Sequence, residues 1–423
     1  VTFTGPTAEL RGVKARPAAE PDAGIPPAGI ARARSVGADA SERLAMVRSG
    51  GVDNGVGGSG RRRRLALGVA LGAGLWSGSA SAVPVIFDTD MAIDDWFALL
   101  WLTRAPEAKV VGVTMAASGE SRCAPSLENA ASLLDIAGAP AEVALACGPE
   151  PPLDGWFVFP APWRAQAETL SGVAVPESDR SPLPPERPIA EVLHTLVVEA
   201  AAPPVVVATG PLTNIALWLD TWPEDAQKIA QLVIMGGAFD VPGNMIVPGF
   251  TDHHPNRFAE WNIYIDPVAA QAVFAADIPT TLVPLDATNQ VPVGADYAAA
   301  WKDGIETEAA AFVDKVFDDN AWFIDSGEYY FWDVLAAIVA FDDTLCVGDS
   351  VPVTVQAEPS EAFWMTGSDF DYPPERHGGG PRRHLDPATA GITRVADTGT
   401  KVKVCRATDG PRVLKTFREV VNQ

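Results

Sequence analysis

The chain has 423 residues, of which 47% are hydrophobic and 20% charged, a composition typical of a globular protein with a sizeable apolar core. Its 31 basic and 54 acidic side chains give a formal net charge of −23, so its surface repels phosphate backbones and anionic lipid. We therefore expect no nucleic acid and no stable membrane association, and instead a small neutral substrate or a cation. The acidity is also explained if it only keeps the protein soluble. The sequence does not decide whether the protein forms a homo-oligomer.

The N-terminal region predicts an export signal. Residues 1–60 are rich in Ala, Gly, Pro and Arg, which predicts a disordered or extraneous extension. Four arginines (61–64), an apolar run (65–76) too short to span a bilayer, and small residues up to Ala82 are typical of a secretory signal peptide. We therefore expect a signal peptide over 61–82 and a secreted or periplasmic product. The alternative is a basic linker followed by a buried helix.

From residue 83 onward, short apolar β-rich runs alternate with longer helical patterns. Continuously apolar strands are typical of a parallel sheet that is buried on both faces. The pattern predicts one α/β domain over 83–423, with a mostly parallel central sheet flanked by helices in a Rossmann-like core. In chain order we expect strand 83–87, helix 94–103, strand 109–115, helix 126–137, strand 142–146, loop 148–188, helix 189–200, strands 204–208, 232–235 and 280–283, β-like runs within 345–355 and 391–405, and a last helix near 410–420.

Four cysteines, at positions 123, 147, 346 and 405, allow three disulfide pairings. Export would permit disulfides. Their spacing matches no zinc motif, and the sequence does not select a pairing.

Unusual polar residues follow four of the predicted strands, in the segments 88–95, 118–120, 209–214 and 236–262. In an open parallel sheet, ligands bind in the crevice outside the carboxyl ends of the strands. We therefore expect these four segments to converge on one site.

The first of these segments holds four aspartates: Asp88, Asp90, Asp94 and Asp95. The repulsion between two like charges at ~4 Å is about 4 kcal/mol at an effective dielectric near 20. A helix N-terminus stabilises one negative charge by only about 0.3–1 kcal/mol. A bound cation would offset the remaining repulsion, and oxygen ligands favour calcium or magnesium over zinc. Alternatively, the aspartates only cap a helix and fill a turn.

Five motifs in order resemble those of the nucleoside hydrolase family, from about residue 84 to the C-terminus. The aspartate segment resembles the family's first signature, with D-T-D-x-x-x-D-D over 88–95. The others are G-P-L-T-N-I-A over 210–216, M-G-G over 235–237 with G-N at 243–244, A-E-W-N-I-Y-I-D-P over 259–267, and W-D-V-L-A-A over 332–337.

The resemblance implies a calcium-dependent hydrolase that cleaves the N-glycosidic bond of ribonucleosides to give free base and ribose. The family roles map onto a Ca²⁺ site formed by Asp90, Asp95, Asp333 and the main-chain carbonyl of Thr213. Asp90 would also take the proton of a water held by the calcium. The ribose hydroxyls would be held by Asp94, Asn244, Glu260 and Asn262, and Asp88 would bond to neighbouring backbone.

The sequence departs from the family pattern at three places. Met91-Ala92 replaces a common Pro-Gly, so the turn must form without glycine. Glu120 stands where many members bind ribose through Asn, and it can still accept from a hydroxyl. Trp332 replaces a histidine that protonates the leaving base in several members, which favours stacking on the base and tilts the expectation to purines. A core role for Trp332 is the alternative, and a histidine of the segment 252–254 is a candidate acid.

The sequence leaves two other functions open as alternatives. A haloacid-dehalogenase-like phosphatase would use Asp88 as nucleophile with Asp90, but it leaves the G-P-L-T-N and A-E-W-N segments unexplained. A secreted calcium- and nucleoside-binding protein without turnover would fit the three departures.

Overall fold

The structure is a computed structural model that describes residues 82–155, 157–185, 187–359 and 385–423. All of them belong to one unit of the chain, Trp76–Gln423. The predicted extension over 1–60 and the predicted signal peptide, apart from its last residue, lie outside the described residues. No helix among the described residues combines the length and hydropathy needed to cross a bilayer.

Within the described residues, nine strands form one sheet in the order β3-β2-β1-β4-β5-β6-β9-β7-β8. The six strands β1 to β6 and the inserted β9 run parallel, whereas β7 pairs antiparallel with both β9 and β8. The predicted mostly parallel sheet is confirmed. The strands are β1 (Val83–Thr89), β2 (Ala108–Met115), β3 (Ala144–Cys147), β4 (Val205–Ala208), β5 (Gln231–Met235), β6 (Thr280–Val283), β7 (Val347–Val355), β8 (Thr393–Val395) and β9 (Lys401–Ala407).

Helices cover both faces of the sheet, as the continuously apolar strands predict. In β1, Val85 and Phe87 pack into one core cluster while Ile86 packs into the other, because successive side chains of a strand point to opposite faces. The helices are α1 (Ile93–Arg104), α2 (Cys123–Ile136), α3 (Ala161–Glu168), α4 (Ile189–Glu199), α5 (Thr213–Thr221), α6 (Trp261–Ile265), α7 (Pro267–Ala275), α8 (Leu285–Thr288), α9 (Ala295–Trp301), α10 (Glu308–Asp319), α11 (Ala321–Ser326), α12 (Trp332–Val339) and α13 (Gly410–Val421).

The prediction of a plain loop over 148–188 was wrong in part, because this segment contains α3 and a 3₁₀ turn at Leu170–Gly172. α3 has no sustained apolar stripe, and its buried residues are Arg164 and Ala167. A helix of this kind is stabilised by what it packs against, so periodicity does not reveal it.

Two disulfides use all four cysteines and select one of the three possible pairings. Cys123, at the start of α2, pairs with Cys147 at the end of β3, and Cys346 pairs with Cys405 of β9. The first bridge closes a chain separation of 24 residues beside the carboxyl end of the sheet. It therefore braces the connection between β2 and α2, which carries Glu120.

Candidate active site

The turn between β1 and α1 forms without glycine, around a residue in a left-handed conformation. Met91 has a φ of 59°, which costs a non-glycine residue about 1–2 kcal/mol and which proline could not adopt. The Met91 amide donates to Thr89 Oγ1 at 3.0 Å, its carbonyl accepts from Trp96 Nε1 at 2.7 Å, and its side chain is fully buried. These contacts offset the backbone cost and fix the aspartates on either side.

Asp95 is the most heavily hydrogen-bonded carboxylate of the turn. Its Oδ1 accepts from Thr89 Oγ1 at 2.5 Å and from Thr209 Oγ1 at 2.6 Å, and its Oδ2 accepts from the Ala92 amide at 2.9 Å. Burial raises the pKa of Asp95, and the bonds from Thr209 and Thr89 oppose that rise. Neither threonine was predicted to have a role, although Thr89 lies within the first motif and Thr209 directly precedes the second.

Three aspartates of the β1–α1 segment and one of α12 meet beside this turn. Carboxylate oxygens of Asp94, Asp95 and Asp333 lie within 4.8 Å of one another, and all three residues are buried. The Asp333 amide donates to Asp94 Oδ2 at 3.1 Å, and the carboxyl of Asp90 is hydrogen-bonded to that of Asp95. The predicted proximity of Asp90, Asp95 and Asp333 is confirmed, and Asp94 joins the same cluster.

Burial and mutual repulsion raise the pKa values of these carboxyls and so shift them toward the neutral form. Desolvation, followed by repulsion from Asp95, raises the pKa of Asp94 to about 7 and that of Asp90 well above its usual value. Desolvation, followed by repulsion from Asp94 and Asp95, raises the pKa of Asp333 well above its usual value. A divalent cation would reverse this balance, and a buried set of hard carboxylate oxygens within 4.8 Å fits Ca²⁺ or Mg²⁺.

Asp88 lies behind the turn and has a structural environment. Its Oδ1 accepts from Thr114 Oγ1 at 2.5 Å and from Asn214 Nδ2 at 2.8 Å. The expected backbone partners for this carboxylate were wrong, because side chains of β2 and α5 supply the donors. A fully buried carboxyl held in this way does not suit the nucleophile that the phosphatase alternative requires.

Two glycines allow Asp90 its position. A Cβ on Gly119 would lie 2.3 Å from Asp90 Cβ, and one on Gly210 would lie 2.9 Å from the same atom. The Glu120 amide donates to Asp90 Oδ2 at 2.9 Å. Burial, with repulsion from Asp94 and Asp95, raises the pKa of Glu120 to about 8, while Arg164 acts in the opposite direction.

Glu260 and Asn262 lie at the same edge of the sheet and are held by backbone groups. Glu260 caps α6, accepting from the amides of Asn262 at 2.9 Å, Gly237 at 3.1 Å and Ile263 at 3.2 Å. Burial raises the pKa of Glu260 to about 7 against these bonds. Asn262 Nδ2 donates at 2.8 Å to the carbonyl of Thr209, the residue that also binds Asp95. Both predicted sugar ligands therefore connect to the aspartate cluster.

Asn244 lies in the loop after β5 and Thr213 is the first residue of α5, both around this edge. Asn244 is bonded to Trp261 twice, once through Oδ1 and once through its carbonyl, each at 3.1 Å. The Thr213 hydroxyl lies 2.9 Å from Ser118 Oγ and donates to Asp266 Oδ2 at 2.7 Å. The two bonds of Thr213 join the loop after β2 and the start of α5 to the start of α7. The roles of Asn244 in sugar binding and of the Thr213 carbonyl as a ligand stay predictions.

Trp332 begins α12 beside Asp333 and is partly buried, in ring contact with Tyr329 at 5.8 Å and Tyr330 at 5.6 Å. The Tyr329 hydroxyl is buried with no hydrogen-bond partner among the described residues. Burial, then the charges of Asp94 and Asp333, raises the pKa of Tyr329. Tyr329, Tyr330 and Trp332 therefore form an aromatic cluster beside the carboxylates. The sequence predicted a role only for Trp332.

The hypothesis of a loop histidine as acid was wrong for His254. This residue is 2% exposed, its Nδ1 accepts from the Asn256 amide, and its ring makes an edge contact with Tyr264. Burial lowers the pKa of His254 to about 4, so near pH 7 the ring is neutral and is not the imidazolium that the acid role needs. His253 is exposed.

Known proteins resemble this chain in sequence and fold. Residues 85–415 match the family described as inosine-uridine preferring nucleoside hydrolase. The pyrimidine-specific ribonucleoside hydrolase RihA of Salmonella paratyphi C is 33% identical over 247 residues, which cover 57% of this chain and 74% of that one.

Solved structures agree on the fold. The inosine-uridine preferring nucleoside hydrolase of Bacillus anthracis has a TM-score of 0.62 at 23% identity, covering 80% of this chain and 99% of its own. The purine-preferring ribonucleoside hydrolase of Gardnerella vaginalis has a TM-score of 0.59 at 25% identity, covering 80% and 98%. With its shared edge of aspartates and its matching sequence over most of the domain, the chain belongs to the inosine-uridine preferring nucleoside hydrolase family of N-glycosyl hydrolases.

Proposed function

We propose that this protein hydrolyses the N-glycosidic bond of ribonucleosides in a calcium-dependent reaction, with Asp90 as the base that takes a proton from the attacking water. The observation that carries the proposal is the buried cluster of Asp90, Asp94, Asp95 and Asp333 at the carboxyl end of the sheet. Such a cluster calls for a cation, and a cation there would lie where the crevice of a parallel sheet receives its ligand.

Cleavage of this bond develops a cationic, oxocarbenium-like sugar and an anionic base. A bound Ca²⁺ would supply a fixed position for the attacking water and for the sugar diol, and would lower the pKa of that water. Asp90, Asp95, Asp333 and the Thr213 carbonyl are the proposed ligands. Asp94 lies within reach of the same ion, since its oxygen is in the same 4.8 Å set as those of Asp95 and Asp333.

Asp90 is suited to the role of proton acceptor because its position is fixed. The Glu120 amide donates to its Oδ2, and Gly119 and Gly210 pack closely against its side chain because neither carries a Cβ. With the charges of the clustered aspartates balanced, Asp90 would be ionised and able to accept a proton. The remaining carboxylates stabilise the positive charge that develops on the sugar.

The sugar hydroxyls would be held by Asp94, Glu120, Asn244, Glu260 and Asn262. Glu260 already accepts three backbone amides, so its orientation is set before the sugar arrives. Preorganised acceptors of this kind lose little entropy on binding.

The nucleobase would stack on Trp332, and this favours purines because their larger rings offer more contact area. The relatives divide on this point, since RihA is pyrimidine-specific and the Gardnerella enzyme purine-preferring. A panel of inosine, adenosine, guanosine, uridine and cytidine tests the preference. A kcat/KM at least as high for uridine or cytidine as for the purine nucleosides would contradict it.

We also propose export of the protein, with cleavage after Ala82. The two disulfides support this, because stable disulfides are typical of oxidising compartments. Mass spectrometry of the protein from culture medium or periplasm should give an N-terminus at Val83, and a protein retained in the cytoplasm would contradict export.

The test of the catalytic proposal is Asp90→Asn, compared with the exposed Asp296→Asn as a charge-matched control. We expect Asp90→Asn to reduce the release of ribose from inosine by at least about 10³-fold, within the range that general-base catalysis supplies, while the control keeps normal turnover. Circular dichroism should show an unchanged fold. Full turnover by Asp90→Asn would refute Asp90 as the base, and a wild-type protein that binds inosine without cleaving it would support the binding-protein alternative.

A further inference from the structure

Helix α3 is held against the loop that carries Glu120. Arg122 of that loop pairs with Glu168 of α3, its Nη1 lying 2.5 Å from Oε1 and its amide 3.3 Å from the same oxygen. Asn129 of α2 donates to the carbonyls of Ala167 at 3.3 Å and Glu168 at 3.2 Å. Four hydrogen bonds therefore fix the position of α3 relative to α2 and the β2–α2 loop.

The docked helix carries a buried cation toward the site. Arg164 is 2% exposed. It lies four residues before Glu168 in α3, so both side chains project from the same face of the helix, the face that contacts the loop carrying Glu120. Its neighbour Trp163 makes ring contacts with Trp261 at 5.4 Å and with Phe250 at 6.2 Å. Trp261 in turn binds Asn244, a proposed sugar ligand. α3 is thus in contact with two sides of the proposed sugar pocket.

Glu120 is a carboxylate that such a cation would stabilise. Its backbone is attached to Asp90, and it shares the pocket with Asp94 and Asp95, whose charges repel its own. Arg164 acts on Glu120 with the opposite sign. Without a fixed positive charge, repulsion would turn the Glu120 side chain away from the aspartates and from the place of the sugar.

We propose that Arg164 is a positioning residue that holds the carboxylate of Glu120 toward the substrate, so that Glu120 accepts a hydrogen bond from one ribose hydroxyl. The inference rests on the proposed nucleoside hydrolase function and extends it, because it makes α3 a substrate-recognition element. The site then contains a fixed guanidinium of the chain in addition to the cation held by the aspartates. Recognition of the sugar depends on both.

The test uses the variants Arg164→Met, Glu120→Gln and the double variant in the calcium-loaded full chain. Calorimetry measures the Kd of 9-deazainosine, whose sugar–base bond joins two carbon atoms and resists hydrolysis, and steady-state assays give kcat and KM for inosine. We expect each single variant to raise Kd and KM about 10-fold, the loss of one charge-assisted hydrogen bond, with kcat within about threefold. The double variant should be no weaker than either single variant.

The identity of the contacted hydroxyl comes from 2′-, 3′- and 5′-deoxyinosine. The KM penalty of Arg164→Met should shrink to less than about twofold with the analogue that lacks this hydroxyl, and should persist with the other two. Arg164→Lys, which keeps the charge, should restore part of the affinity. Arg180→Met is the matched control, because Arg180 belongs to the same segment but is paired with Asp135 and the carbonyls of residues 139 and 140.

Additive losses in the double variant, or an equal penalty with inosine and all three deoxy analogues, would overturn the proposal by assigning Arg164 a purely structural role. The binding measurement separates this outcome from failure of the proposed function. A wild-type chain that binds 9-deazainosine but releases no ribose from inosine would refute the hydrolase proposal, whereas the coupling between Arg164 and Glu120 would still be measured.

Discussion

Two groups of buried aspartates in this protein have opposite charge balances. Asp225, with a fully buried side chain, accepts from Lys228 Nζ at 2.8 Å, Trp218 Nε1 at 2.9 Å and His194 Nδ1 at 2.7 Å. Burial acts to raise the pKa of Asp225, yet these bonds outweigh it and hold that pKa below its usual value. In the cluster around Asp95, burial and like-charge repulsion prevail instead, and the pKa values rise.

The difference shows what distinguishes a structural aspartate from a functional one. The fold supplies Asp225 with its own cation and donors, so this carboxylate needs nothing from solution. The four clustered aspartates receive hydroxyl and amide donors but surround one another, so their charge is balanced only when an ion from solution joins them. Perturbed pKa values in a crevice are typical of such sites.

The largest expected effect is on metal affinity. Asp333→Asn removes one of the clustered charges, so Ca²⁺ affinity should fall by about 100-fold, which is about 2.8 kcal/mol. The metal-free variant should nevertheless be more stable than the metal-free wild type at pH 8, because a repulsive buried charge is gone. Calorimetry with Ca²⁺ and thermal unfolding with a chelator measure the two effects. A variant that loses stability in the chelator would contradict the repulsion on which the comparison depends.

At Asp225 the expected effect is on stability alone. Asp225→Asn leaves Lys228 and His194 without their buried acceptor, which should lower the free energy of unfolding by about 1–3 kcal/mol. The loss should be equal with Ca²⁺ and with chelator, and the folded variant should keep the wild-type kcat for inosine. Urea unfolding under both conditions gives the comparison, and a calcium-dependent loss would show that the two groups are not independent.

The smallest expected effect is in the pH dependence of stability. The clustered carboxyls bind protons more tightly when folded, Asp94 with a pKa raised from 3.8 to about 7, so the metal-free protein should lose stability as pH rises through this window. The lowered pKa of Asp225 has the opposite sign, and its contribution is lost only as pH falls below about 4. The calcium-induced rise in Tm should be a few degrees larger at pH 8 than at pH 5, as scanning calorimetry would show. An equal rise at both values would contradict the assigned shifts.

The local sequence pattern was sufficient to predict the parallel strands and the convergence of the polar segments at their carboxyl ends. Apolar runs such as 83–87 and 204–208 predict buried strands because a strand covered on both faces must be apolar throughout. The four aspartates of 88–95 predict a cation site because carboxylates so close in the chain repel one another. The ordered motifs then tied them to Asp333, which follows Asp94 by 239 residues in the chain.

What the sequence by itself determined was therefore the fold class, the position of the site and most of its carboxylates, since each depends on residues adjacent in the chain. The tertiary structure alone decided the burial of His254 among aromatic rings, the pairing of the cysteines, the threonines that bind Asp95, and the docking of α3 with Arg164. Each of these follows from packing between distant segments, where a side chain's charge and partners are set by neighbours that no local pattern specifies.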